Sequence, residues 1–207
     1  MAFIGSAGIG VLNVARKTMA RMLAKQMSPD CDAEFAYGAG QINPIKALYP
    51  GLVYDANEED YIKFLCDQGL NMSMLLQITE SIVNCPERGH MTPRNLNYPS
   101  FAFKVPRIKH HLNARFKRIV TDVGLPMSTY RAFVTAPKEL NISVTANVLS
   151  FTPLGEKQNF ITINGKLKKS IGSASLTWGD GKYQVRSPIV VFYERERWKE
   201  RVPIYIG

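Results

Sequence analysis

From Phe101 to Val191 apolar residues recur at every second position, and that period constrains the fold more than any other feature. Phe101, Phe103 and Val105 alternate, as do Tyr130, Ala132, Val134 and Ala136. Leu140, Ile142 and Val144 follow, then Ala174, Leu176 and Trp178, then Tyr183, Val185, Ser187, Ile189 and Val191. Side chains on a strand point to opposite faces in turn, so this spacing describes strands with one face buried and one wet. Shorter runs around "RFKRIVTDV" and "NFITIN" bring the expectation to about seven strands over roughly a hundred residues, the pattern of an antiparallel β-sandwich. Asp180-Gly181 marks a hairpin turn between the last two.

Upstream of "NCPERGHMTPRN", a Pro/Gly-rich connector, the period is helical. Leu12, Ala15, Met19, Met22, Leu23 and Met27 share one face of an amphipathic helix whose other positions hold Arg16, Lys17, Arg21 and Lys25. Gly38 and Gly40 permit a tight turn after "EFAY". Asn43-Pro44 starts a short helix that Pro50-Gly51 stops, and "GLVYD" leaves extended. Asn57 caps a helix over "NEEDYIKFLCDQG", acids fill its first turn and Gly69 ends it. "NMSMLLQIT" predicts one more helix.

Charge changes sign along the chain. Residues 31–95 hold 4 basic and 9 acidic side chains (−5), whereas residues 96–193 hold 14 and 4 (+10), out of a total of +9. The change near residue 95 predicts a boundary. The cations of the second half stand singly along the strand-like runs and match no nucleic-acid module, so no nucleic-acid partner is expected. With 45% apolar residues the chain can fill a core, and no apolar run is long enough for a membrane-spanning helix.

Candidate chemistry is sparse. Gly5, Gly8 and Gly10 lack the preceding strand that a phosphate-binding loop requires, and Ile4 stands where a nucleophile elbow at Ser6 would need glycine. His90, His110 and His111 lie in a connector and a basic loop, with no serine on a strand-to-helix turn to serve. Ser100 falls at a strand entry. Glu58, Glu59 and Asp60 are accounted for by helix capping. No catalytic, cofactor-binding or metal-binding residues are therefore assigned, and no cofactor is expected. Cys66 and Cys85 are close enough in sequence to close a short disulfide loop, or to remain two reduced core thiols; Cys31 has no evident partner. Asn71-Met72-Ser73 and Asn141-Ile142-Ser143 are N-glycosylation triplets, which favour a secreted setting, although the first residues do not read as a secretory signal.

"DAEFAYGAGQINPIKALYPGLVYD" (Asp32–Asp55) closely resembles the end of the peptidase domain of plant subtilisin-like serine proteases, the cucumisin-like subtilases. "DYIKFLCDQG", "ITESIVNCP", "LNYPSFAF", "FKRIVTDVG", "VLSFTPLGEKQNF" and "GSASLTWGDGKYQVRSPIVV" then resemble, in order, that family's approach to its fibronectin type III-like domain and the domain itself. The resemblance extends over about Met27 to Phe192. It implies four parts: a divergent N-terminal segment with a basic helix (1–31), a remnant of the peptidase domain with a linker (32–95), the fibronectin type III-like sandwich (96–193) and a tail (194–207). It also implies a Cys66–Cys85 disulfide, an extracellular location in the plant cell wall, and a peptidase domain as the partner that the sandwich packs on and stabilises.

The family's Asp/His/Ser triad and oxyanion-hole Asn lie upstream of the matched stretch, so the expectation is a part with no catalytic residue of its own. Two rival readings stay open: a free-standing secreted binding module, and a protease completed by another chain.

Overall fold

The computed structural model describes residues 34–40, 47–80, 82–83, 85, 93–152 and 156–193, with the side chains of 36–37, 93 and 156–160 left aside. The basic N-terminal helix, the Asn43-Pro44 helix, His90, Cys31 and the tail fall outside these residues. The first described element is a single helical turn, α1 (Glu34–Tyr37). The two-residue strand β1 (Leu52–Val53) follows, within the expected extended "GLVYD". Helix α2 (Glu58–Asp67) begins where Asn57 accepts the Asp60 amide and Asp60 accepts the Asn57 amide, both at 3.0 Å. That reciprocal pair satisfies two donors that a helix start otherwise leaves open. Helix α3 (Met72–Thr79) is capped by Asn71, whose side-chain oxygen accepts the Met74 amide at 2.9 Å.

A 3-10 turn (Pro93–Asn95) leads into strands β2 (Phe101–Val105), β3 (His111–Asp122), β4 (Thr129–Thr135), β5 (Leu140–Thr145), β6 (Val148–Ser150), β7 (Glu156–Lys166), β8 (Ile171–Gly179) and β9 (Gln184–Tyr193). They form two sheets, one ordered β1-β3-β7-β5 and the other β2-β9-β8-β4-β6. All seven expected runs are strands. β6, only three residues long, escaped the reading because so short a run shows no period. β1 escaped it because two residues carry no alternation at all.

One pairing departs from the all-antiparallel expectation. β2 runs parallel to β9, with Phe101 opposite Ile189 and Val105 opposite Tyr193. Parallel and antiparallel partners bury the same alternate side chains, so the direction is invisible in the period. The Asp180-Gly181 signal is a turn joining β8 to β9. Asp180 accepts the Lys182 and Tyr183 amides through its carboxylate, and Gly181 takes φ +92.

Between the sheets lie Phe101, Phe116, Tyr130 and Trp178, the largest fully buried side chains, with Ile161, Ile163, Leu176 and Ile189. Leu52 and Tyr54 belong to the same cluster. A strand from before residue 95 is thus part of the sandwich.

Candidate docking surface

β3 supplies the least expected side chain. Its burial alternates along Leu112, Ala114, Phe116, Arg118 and Val120, so an arginine occupies an inward position. No carboxylate faces it among the described residues. Its guanidinium donates to four backbone carbonyls: Tyr98 (2.7 Å), Arg94 (2.8 Å), Lys117 (2.8 Å) and Ser100 (3.2 Å). It also lies over the Phe101 ring at 4.5 Å. Burial holds its pKa down to about 10. A planar fork of five donors suits several carbonyls at once, which an ammonium could not match. Arg118 therefore fastens residues 94–100 to the sandwich edge. Asn97 helps by donating to Asp55 and Ile119 carbonyls and accepting the Ile119 amide. A charged residue at an inward position of "LNARFKRIV" was the sequence signal for this anchor.

Other polar bonds join the segment before residue 95 to the sandwich. Tyr54 and Ser187 hydroxyls share a buried hydrogen bond of 3.1 Å. Ser173 donates to the Glu34 carboxylate, which is only 2% exposed, and Phe35 meets the Phe192 ring edge-on at 4.9 Å.

Beyond these anchors, that segment exposes apolar surface. Met72, Met74, Leu76 and Ile78 of α3 are each about half exposed, Ile82 is 84% exposed, and only Leu75 is fully buried. A short helix that is apolar almost all round is ordinarily covered. Cys66 and Cys85 flank it and are joined by a disulfide with Cα atoms 5.6 Å apart. A second apolar group comprises Leu48, Tyr49, Val123, Leu125 and Met127, all at least 49% exposed. The Val123 amide bonds the Gly51 carbonyl, which brings the two stretches side by side.

Asn71 is exposed at the α3 cap, and Asn141 is exposed on β5, an edge strand. Ser100 lends its carbonyl to Arg118 and gathers no histidine or acid. His110 and His111 lie exposed at the start of β3. No group of three metal-ligating side chains is present among the described residues, nor any helix long and apolar enough to cross a membrane.

A fibronectin type III domain model matches residues 95–191. Subtilisin-like protease SBT4.3 of Arabidopsis thaliana is 46% identical over 165 residues, which cover 78% of this chain and 22% of that protein. SBT4.12 of the same plant is 43% identical over 164 residues, 77% of this chain and 22% of its own length. SBT4.11 is 40% identical over 187 residues, 88% of this chain and 25% of its own. The chain thus matches about a fifth to a quarter of the length of these relatives, in their fibronectin type III-like region. The sandwich, the family match and the identities agree: the chain belongs to the plant subtilisin-like proteases, as a C-terminal portion bearing their fibronectin type III-like domain.

Proposed function

We propose that this chain is the non-catalytic supporting part of a plant subtilisin-like serine endopeptidase, acting outside the cell by docking on the peptidase part and stabilising it. The observation that carries the reading is α3, whose apolar side chains stand exposed between the two half-cystines. Covering Met72, Met74, Leu76 and Ile78, each already about half buried, would remove apolar surface worth about 1 kcal/mol per side chain. The bonds from Tyr54, Glu34 and Asn97 keep this segment seated on the sandwich.

The test mixes the full chain with the peptidase portion of an Arabidopsis relative truncated before the matched region. Size-exclusion chromatography should show a complex, and the peptidase portion should melt at higher temperature in it. The Met72→Gln/Leu76→Gln variant should bind at least tenfold more weakly. Absence of a complex, or unchanged affinity in that variant, refutes the docking role. Covalent labelling of the chain alone by a fluorophosphonate serine probe would refute the non-catalytic one.

A further inference from the structure

Cations that stand singly in the sequence meet at one end of the sandwich. The turn from β2 to β3 brings Arg107 and Lys109, the end of β7 brings Lys166, the following turn Lys168 and Lys169, and the β4–β5 connection Lys138. All six are exposed, and none is in an ion pair among the described residues. Glu139 is the one acid in these turns. Backbone bonds stitch the turns together: Lys109 amide to Leu167 carbonyl (2.9 Å), Lys166 amide to Glu139 carbonyl (3.3 Å) and Tyr193 amide to Ser170 carbonyl (2.8 Å). Lys109 is held at φ +63, a left-handed conformation that costs a side-chain-bearing residue about 1 kcal/mol. The like charges are thus kept close by a fixed scaffold, despite their mutual repulsion.

The charge continues onto the outer face of the β1-β3-β7-β5 sheet. His111, Asn113, Arg115 and Lys117 are exposed at alternate positions of β3, along about 20 Å of strand. Across the register Asn113 stands opposite Asn164, and Asn164 opposite Asn141; Arg115 stands opposite Thr162, and Thr162 opposite Ser143. The result is a flat face with cations along one strand and amides and hydroxyls on the next two.

We infer that this pole and the adjoining face of β3, β7 and β5 bind a carboxylate-bearing polysaccharide. The cations meet the carboxylates, and the Asn, Ser and Thr side chains exchange hydrogen bonds with the sugar hydroxyls. The inference does not rest on the docking reading, because α3 and the 48–49 and 123–127 stretches lie elsewhere on the chain.

The test is binding of the full chain to immobilised polygalacturonate, with neutral dextran and duplex DNA as comparators, at 50 and 200 mM NaCl. Neutralising about four charges predicts a loss of roughly 50-fold in affinity across that salt range. Lys168→Glu/Lys169→Glu should lose at least tenfold, and Arg107→Gln/Lys109→Gln several-fold, with melting temperatures close to that of the unaltered chain. Lys63→Glu/Arg131→Glu makes the same net-charge change as the first variant away from the pole and should lose less than threefold. Absence of polygalacturonate binding at 50 mM salt overturns the inference. So does equal loss in the control variant, equal binding to dextran, or tighter binding to duplex DNA.

Discussion

Replacing Arg118 by methionine keeps an unbranched apolar stem over Phe101 while removing the guanidinium. Four carbonyls, those of Arg94, Tyr98, Ser100 and Lys117, then lose their donor. At about 1.5 kcal/mol for each bond to a charged donor, the gross loss is about 6 kcal/mol. Removal also relieves the burial of a charge. The pKa held at about 10 rather than 12.5 converts to about 3 kcal/mol of that relief. The expected net destabilisation is about 3 kcal/mol. With a urea slope of about 2 kcal/mol per molar, the midpoint should fall by about 1.5 M. The assay is equilibrium urea unfolding followed by tryptophan fluorescence, since Trp178 is fully buried. Lysine at position 118 should recover only part of the loss, because one ammonium cannot serve four carbonyls in a plane. A loss below about 0.5 kcal/mol for methionine would refute the reasoning, by showing that residues 94–100 do not depend on the guanidinium.

Burial pushes the Tyr54, Tyr98 and Tyr130 phenols up from 10.0. The folded chain keeps protons that the unfolded chain releases, so this stability is complete below pH 10 and is lost as pH rises through the folded values. Arg118 acts with the opposite sign but is one group against three. Urea midpoints should accordingly fall above pH 10. Tyr54→Phe should cost about 1 kcal/mol at neutral pH, through the Ser187 bond, and make the alkaline fall shallower. Gly165 sits at φ +144 with the Glu139 carbonyl 2.2 Å from where a Cβ would stand, so Gly165→Ala should destabilise by about 3 kcal/mol or more in the same unfolding assay. Opening the Cys66–Cys85 bond by Cys→Ser at both positions should raise amide exchange around α3. It should leave the main melting transition nearly unchanged, because that loop lies outside the sandwich core.

Much of the fold was legible because strand alternation and helix capping are local. Asn57 caps the helix whose start it signalled, and Asp180-Gly181 turns the hairpin. β1 was read as extended backbone, but its place beside β3 follows from Leu52 and Tyr54 meeting a core built some fifty residues later. The inward Arg118 is visible as a break in an apolar series, whereas its four acceptors come from a loop whose path no period describes. The candidate docking surface was legible only as a run of apolar residues in "NMSMLLQIT". That they stand exposed is a property of the packed chain.

By itself the sequence determined the sandwich class, helices α2 and α3 before it and the family resemblance, because each rests on order and spacing along the chain. Tertiary structure alone decided the parallel seating of β2 on β9 and the basic pole. Arg107, Lys138 and Lys168 are separated by some thirty residues at each step, and their charges add only after the two sheets close and bring three turns to one end. Electrostatic potential depends on distance in space, and distance in space is what folding supplies.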